Sequence, residues 1–316
     1  MSSQFQPPAT PADATGGGRD VVRAPSWLAR TRRLRVLGRG LATLLGNRKA
    51  RVGFALLGVF VLVAVFAPVL APHSPTDSSF PPNEGPSWSH LLGTTGSGQD
   101  VLSQLLYAAR VSLLVALAAA TAATAIAIVV GMIAGYLSGA VDEVLGFATN
   151  LALVIPALPL MIVIAAYLPN KGVGVIILVV VVTGWATGAR VMRSQTQSLR
   201  NRDFVASALF SGDRLPRIVF REILPNMTSL IAANFLAAAT AAVLGEAGLE
   251  FLGLGNPSTV SWGTMLYWAQ NNNALLTGQW VLIFAPGLCI AVLAASLSLV
   301  NFGIDALSNP RLREGK

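Results

Sequence analysis

Six long apolar stretches, each without a charged residue in its central part, constrain this chain more than any other feature. They lie at about 52–71, 110–137, 144–168, 173–192, 226–246 and 281–303. Roughly 20 apolar residues cross a bilayer as a helix, because only an internally hydrogen-bonded backbone is stable in lipid. Only 11% of the residues are charged, whereas soluble domains carry about 25%. The sequence therefore predicts an all-α polytopic membrane protein with six transmembrane helices.

The basic residues are distributed unevenly between the connecting segments. Ten of the 22 Lys and Arg residues precede the first stretch, and most others lie near 190–221 or in the C-terminal tail. The segments 72–109 and 247–280 contain neither Lys nor Arg. Because positively charged loops stay in the cytoplasm, we expect cytoplasmic N- and C-termini. We interpret the net charge of +8 as a topology signal and not as nucleic-acid binding.

The N-terminal region divides into two parts. Residues 1–25 are rich in Pro, Gly, Ala and Ser and predict a disordered cytoplasmic tail. Residues 26–48 place Trp27 and several leucines at helical spacing opposite arginines, which favours an amphipathic helix at the membrane interface over a solvated basic tail. Residues 49–316 then form the membrane domain.

The chain offers little chemistry of its own. Neither Lys49 nor Lys171 follows the Gly that a phosphate-binding loop needs. His73 and His90 lack the close spacing of a metal-binding helix, so we interpret them as an unrelated pair and expect no metal site. Cys289 is the single cysteine and is expected to be a packed thiol. We expect no catalytic residue and no cofactor bound by this chain.

The charged residues avoid the centres of the apolar stretches. Asp142 and Glu143 lie in a short turn, and Glu246 and Glu250 lie at the end of the fifth stretch, where we expect helix-terminal or loop carboxylates. Ion-coupled carriers and intramembrane proteases commonly bury ionisable residues in their spans. The pattern therefore indicates that any energy for transport comes from a partner.

The polar segment 199–225 separates the fourth and fifth apolar stretches. Asp203 is predicted to be the N-cap of a short helix that ends at Ser211, and Gly212 to supply the left-handed conformation that ends it. A second turn is expected before Pro225 leads into the fifth span. Such a helix–Gly–helix segment is suited to docking a partner, although an ordinary basic loop would also fit the spacing.

This segment, FVASALFSGDRLPRIVFREILPN, resembles the cytoplasmic coupling loop of bacterial ABC-importer permeases. The matching positions are Ala208, Gly212, Ile223, Leu224 and Pro225. Three further blocks, from His90 to Val115, from Leu244 to Leu266 and from Asn301 to Leu312, resemble the C-type subunit of the dipeptide/oligopeptide/nickel permease family. The resemblance covers roughly residues 50–313.

The resemblance implies a type I ABC-importer permease fold and a non-catalytic subunit that imports di- or oligopeptides across a bacterial plasma (inner) membrane. The implied partners are a homologous B-type permease, two ABC ATPase domains that bind ATP and Mg²⁺, and an extracytoplasmic substrate-binding protein. Nickel or haem would be alternative cargoes within the same family. A self-sufficient channel or carrier is the alternative outside it.

The resemblance also assigns an ATPase-coupling surface. It comprises Asp203, Phe204, Val205, Ala206, Ser207, Ala208, Gly212, Arg217, Ile223, Leu224 and Pro225. The chain departs from the family pattern where Ala206 replaces the usual Glu, Ser207 the next Ala, Glu222 a frequent His and Gln99 a usual Arg. Ala206 cannot make the charged interaction of that Glu, and we expect Asp203, one helical turn earlier, to make it instead.

Two further sets of residues are candidates for transport. Thr121, Thr124, Asn234 and Thr240 are candidates for the translocation path, with close helix packing as the alternative. Asp100, Glu250, Phe251, Leu252 and Trp262 are candidates for an outer contact with the binding protein. The aromatic residues among them are also typical of a membrane-interface belt.

Overall fold

A computed structural model describes residues 46–308, which are helical apart from turns, loops and one isolated antiparallel bridge between Thr94 and Asp100. The helices are α1 (Arg48–Leu70), α2 (Val101–Tyr136), α3 (Ala140–Val154), α4 (Ala157–Tyr167), α5 (Val173–Arg200), α6 (Asp203–Phe210), α7 (Thr228–Phe251), α8 (Trp262–Asn271) and α9 (Val281–Ser308). The predicted tail at 1–25 and nearly all of the predicted interfacial helix at 26–48 lie outside the described residues.

The apolar stretches form membrane-spanning helices. Among the described residues, five helical segments are long and apolar enough to cross a membrane: Arg48–Leu70, Val101–Tyr136, Val173–Arg200, Leu215–Phe251 and Val281–Ile304. The bent pair α3–α4 makes a sixth crossing if it is counted as one span. The all-helical, multi-span architecture predicted from the sequence is therefore confirmed.

The predicted continuous span at 144–168 is wrong, because α3 and α4 meet at an angle of 90°. Pro156 lacks the backbone N–H that a continuous helix would use, and a proline restricts the residue before it to extended conformations. Ile155 accordingly has φ −73° and ψ 124°. The break therefore coincides with Pro156, although Pro68 and Pro286 lie inside unbroken α1 and α9.

Helix α2 forms the centre of the bundle and packs against α1, α5 and α7. Small residues allow the closest approach of α2 and α5. A Cβ atom added at Gly131 would lie 2.5 Å from the Ala189 carbonyl oxygen, and one at Gly135 would lie 2.6 Å from that of Arg193. Such close packing through small residues is typical of membrane helices.

The bundle has two ends. The α6 end carries α6 and the return segment that leads into α7. At the opposite end, here the α8 end, the segment 71–100 folds over the start of α2, since Glu84 and Thr94 exchange hydrogen bonds at 2.9 and 3.0 Å and the Val101 N–H donates to the Gly93 carbonyl oxygen at 3.1 Å. Helix α8 packs beside α7 and α9 at this end.

Candidate functional site

Helix α6 starts one residue earlier than the sequence predicts. Arg202 is the N-cap, and Asp203 is the first helical residue, without a side-chain capping hydrogen bond. The prediction that Asp203 caps the helix is therefore wrong. Its carboxylate, still in the first turn, is exposed and favourably placed next to the helix dipole.

Gly212 ends α6 as predicted. Its φ is +80°, a left-handed conformation that glycine adopts without steric cost. The Gly212 N–H donates to the Leu209 carbonyl oxygen at 3.0 Å and the Asp213 N–H to that of Ala208 at 3.1 Å. These two bonds form a Schellman motif, which redirects the chain toward α7.

The return segment is helical from Leu215 to Met227 but not regularly α-helical. After Leu215–Arg217, residues Ile218–Ile223 adopt wider π-type turns, and the Leu224 N–H donates to the Val219 carbonyl oxygen five residues earlier. A tighter turn, Leu224–Met227, then carries Pro225 into α7. Pro225 has no backbone N–H to donate. The regular α-helical hydrogen bonds are therefore interrupted in the turns around it.

The buried side of this segment packs against the ends of α2 and α5. Val205, Ile218 and Ile223 are fully buried and Met227 nearly so. They form one hydrophobic cluster with Met132, Tyr136 and Met192, which we call the α6-end core cluster. The segment is therefore attached to α2 and α5 by its own apolar core and continues directly into α7.

The opposite side of the segment exposes large apolar side chains. Phe210 is 92% exposed and Phe220 62%. Phe204, Leu209 and Leu215 are also exposed, and with those two phenylalanines they make up what we call the apolar face. An exposed apolar patch on an ordered segment marks an interaction surface.

The predicted coupling residues divide between these two sides. Phe204 belongs to the apolar face; Asp203, Ala206, Ser207, Arg217 and Pro225 are also exposed, Ala208 and Leu224 are half-buried, and Val205 and Ile223 are buried. Arg217 pairs with Asp213 at 3.0 Å. The sequence reasoning missed Leu209, Phe210 and Phe220, although large apolar residues in an otherwise polar segment were a visible signal.

Ion pairs and hydrogen bonds brace the α6 end. The Arg193 guanidinium donates two hydrogen bonds to the Asp142 carboxylate, at 2.5 and 2.7 Å. Arg200 donates to the Ser138 hydroxyl at 2.9 Å. The first turn of α3, which carries Asp142, is thus held against α5. A bidentate pair of this kind fixes both the distance between the two side chains and their relative orientation.

The four translocation-path candidates do not form one group. The Asn234 side-chain amide donates to the Thr124 hydroxyl at 3.3 Å across α7 and α2, beside Gly188 of α5. The hydroxyls of Thr121 and Thr240 donate to carbonyl oxygens of their own helices. Thr121 is exposed, Asn234 and Thr240 are half-buried and Thr124 is buried, so the Thr124–Asn234 pair belongs to helix packing.

Three of the five outer-contact candidates are buried, which contradicts their predicted exposure. Asp100, Glu250 and Trp262 are 0%, 2% and 1% exposed, because the segment 71–100 folds over Asp100, α8 packs on Glu250, and Trp262 packs against Phe60 of α1. The Trp262 indole N–H donates to the Leu105 carbonyl oxygen at 3.1 Å. Phe251 and Leu252 are exposed and remain available at the surface.

Glu246 and Glu250 are helix-terminal, as expected, but the structure buries both of them in the core. Both lie in the last turns of α7 and are buried. The Ser112 hydroxyl of α2 donates to the Glu246 carboxylate at 3.2 Å, and the Ser261 hydroxyl, at the start of α8, donates to Glu250. These polar contacts join α2, α7 and α8.

The two histidines are not an unrelated pair. His73, His90 and Asp100 converge at the start of α2, and their potential metal-ligand atoms lie within 4.8 Å of one another. Although burial alone would raise it, hydrogen bonds from Ser103 and His90 hold the pKa of the Asp100 carboxyl below its usual value. Spacing along the chain did not reveal this group because the connecting segment folds back on itself.

Comparison with known proteins agrees with this architecture. The family described as binding-protein-dependent transport system inner membrane component matches residues 127–314, more than half of the chain. The N-terminal transmembrane domain of oligopeptide transport permease C matches residues 38–86. The chain belongs to this permease family.

Individual relatives extend the match over most of the chain. The oligopeptide transport system permease protein OppC of Bacillus subtilis is 31% identical over 271 residues, which cover 85% of this chain and 87% of the relative. The dipeptide permease DppC of the same organism is 31% identical over 269 residues, covering 84% and 83%. A probable peptide ABC transporter permease of Sinorhizobium fredii is 34% identical over 261 residues, covering 82% and 88%. The chain is thus a multi-pass inner-membrane permease of the OppC and DppC type.

Proposed function

We propose that this chain is one permease subunit of an ATP-driven importer of di- or oligopeptides, and that ATPase subunits dock on its α6 segment. The observation that carries the proposal is the two-sided α6 segment. Its apolar face is exposed, while its other side is packed into the α6-end core cluster. The peptide cargo is inferred from the oligopeptide and dipeptide permeases to which the chain is similar.

The apolar face suits a protein groove better than a lipid surface. Exposed Ser211 and Arg214 follow Phe210 in the sequence, and exposed Arg221 follows Phe220. Apolar anchors surrounded by polar and charged residues are typical of the centre and rim of protein interfaces. ATPase closure that displaces this segment would therefore move α5 and α7, which are attached at its two ends.

Arginine placement supports a cytoplasmic position for the α6 end. Arg193, Arg200 and Arg217 lie at this end, whereas the segments 71–100 and 252–280 at the α8 end have neither Lys nor Arg. Under the positive-inside rule, the α8 end would face outward. This orientation would place both chain termini in the cytoplasm.

The remaining proposed partners are those that the resemblance implies, and exposed residues suggest where they would bind. A homologous B-type permease would complete the translocation path, so a lining residue must be accessible in this chain alone; of the four candidates, Thr121 meets this condition best. At the α8 end, a cleft of about 280 Å³, lined by both polar and apolar side chains, lies between the segment 71–100 and α8. The binding protein would contact this cleft and the nearby exposed Phe251 and Leu252. We propose that ATP and Mg²⁺ bind only to the ATPase subunits.

Reconstitution tests the proposal. Vesicles that contain this chain, the B-type permease and the ATPase subunits should accumulate labelled dipeptide when ATP and the binding protein are supplied. Vesicles with this chain alone should not. Peptide uptake by the chain alone, without ATPase subunits, would overturn the proposed role and favour a self-sufficient carrier.

A further inference from the structure

Three potential metal ligands that are distant in sequence meet at the start of α2, at the α8 end of the bundle. His73 follows α1, His90 lies in the connecting segment and Asp100 is the N-cap of α2. Their candidate ligand atoms are all within 4.8 Å of one another. We refer to these residues as the His–His–Asp cluster.

One serine orients the cluster. Oδ2 of Asp100 accepts hydrogen bonds from the Ser103 N–H at 2.8 Å and from the Ser103 hydroxyl at 2.7 Å. The same hydroxyl accepts a hydrogen bond from the backbone N–H of His73 at 3.1 Å. Oδ1 of Asp100 is left facing the histidines, 3.0 Å from His90 Nδ1 and 4.0 Å from His73 Nδ1. Outer hydrogen bonds of this kind fix ligand orientation in metal sites.

One ligand atom in the cluster is unsatisfied. Nδ1 of His73 is buried and has no hydrogen-bond partner among the described residues, which is unusual for a buried polar atom. Phe80 packs edge-on against both imidazoles, with ring centroids 4.8 and 4.6 Å away. The His73 side chain is 30% exposed, which leaves a route for an ion and an open coordination position.

We propose that the His–His–Asp cluster binds a divalent ion of the zinc class. Two imidazole nitrogens and one carboxylate oxygen are a common donor set for Zn²⁺, whereas Mg²⁺ and Ca²⁺ require mostly oxygen ligands. With ligand bonds of about 2.1 Å, tetrahedral ligand atoms lie about 3.4 Å apart. The separations of Asp100 Oδ1 from the two histidines, 3.0 and 4.0 Å, lie on either side of that value, and rotation of the partly exposed His73 side chain would bring its nitrogen closer to the other two ligand atoms, all of which lie within 4.8 Å of one another. The ion would fasten the segment 71–100 to α2, whatever the chain transports.

Cobalt substitution tests the site directly. The full-length chain, purified in detergent and stripped with a chelator, is titrated with Co²⁺ and then with Zn²⁺. We expect visible absorption of four- or five-coordinate cobalt at one equivalent per chain, loss of that absorption when Zn²⁺ is added, and a higher unfolding temperature with Zn²⁺.

Two variants locate the ion. His73→Gln removes one ligand but leaves the His90–Asp100 and Ser103–Asp100 hydrogen bonds in place, so the segment should still fold, as its unfolding temperature without metal will show. This variant should lose the cobalt absorption, whereas Gln99→Ala in the same segment should keep it. Absence of cobalt absorption in the unmodified chain would overturn the proposal. So would equal binding by His73→Gln, or loss of binding in both variants.

Discussion

The two ends of the bundle use similar residues in opposite ways. At the α6 end, Phe210 and Phe220 are exposed on the short segment that connects α5 to α7. At the α8 end, Trp262 and Glu250 are buried although they lie in or beside connecting segments. A residue outside the apolar stretches is therefore surface or core according to whether the side of its segment that carries it packs against the bundle.

The difference has a structural cause. The α6 segment has one buried side, formed by Val205, Ile218 and Ile223. Within the described residues, nothing covers its other side. At the α8 end, by contrast, the segment 71–100 and helix α8 cover the ends of α2 and α7. The buried Trp262 therefore contributes to folding, whereas the exposed Phe210 and Phe220 are available to a partner.

Substitution of Trp262 should have the largest effect on stability. Trp262→Ala leaves a cavity and removes the indole hydrogen bond to the Leu105 carbonyl oxygen, and truncating a buried aromatic costs about 3–5 kcal/mol. The matched control is Trp88→Ala, since Trp88 is 98% exposed and its loss should change the free energy of unfolding by at most about 0.5 kcal/mol. Thermal unfolding in detergent measures both. Equal destabilisation by the two substitutions would contradict the burial of Trp262 at the α8 end.

Ile218 and Phe220 test the two sides of the α6 segment. Ile218→Ala should cost about 2–5 kcal/mol because the residue is fully buried. Phe220→Ala should leave the unfolding temperature nearly unchanged and weaken retention of ATPase subunits. If Phe220→Ala destabilises the isolated chain as much as Ile218→Ala, the apolar face is part of the core.

Substitutions at Gly212 and Gly278 distinguish the cost of backbone strain from an effect on the coupling of ATP hydrolysis to uptake. Both have positive φ, +80° and +77°, with space around them. A valine at either position should cost at least about 1–2 kcal/mol for the left-handed conformation. Only Gly212→Val should lower peptide uptake per ATP hydrolysed in reconstituted vesicles. Unchanged coupling in Gly212→Val would remove the proposed role of the turn.

The Asp100 carboxylate should give a smaller, pH-dependent effect. Because its pKa is below the ordinary 3.8 in the folded chain, its stabilising contribution is present above that value and is lost as the pH falls through the lowered pKa. Asp100→Asn should therefore reduce the acid sensitivity of unfolding, measured in detergent with a chelator from pH 6 downwards. Asp77→Asn, in the same segment, is the control. Identical acid profiles for Asp100→Asn and the unmodified chain would contradict this assignment.

The sequence predicted features that depend on local chemistry. The apolar stretches became helices because their backbones must satisfy their own hydrogen bonds in lipid, and Gly212 took the left-handed conformation expected of a helix-ending glycine. The break at Pro156 was not predicted, although proline lacks an N–H and restricts the preceding residue, and Pro68 and Pro286 show that a proline alone does not break every helix.

Features that depend on distant contacts were not predicted. The burial of Glu250 and Trp262 requires α8 to fold against α2 and α7, and the meeting of His73 with Asp100 requires the segment 71–100 to fold back. Neither contact produces a repeating pattern in the sequence from which it could be predicted. Exposure of Phe210 likewise depends on which side of α6 packs into the α6-end core cluster.

The most direct test of the account compares Phe210 with Leu276, two apolar residues that are 92% and 86% exposed at opposite ends of the bundle. Phe210→Ser and Leu276→Ser should each leave the unfolding temperature of the chain nearly unchanged. In tagged pull-downs of the assembled complex, Phe210→Ser should lose most of the bound ATPase, and Leu276→Ser should retain it. Full ATPase retention by Phe210→Ser would contradict docking on the apolar face.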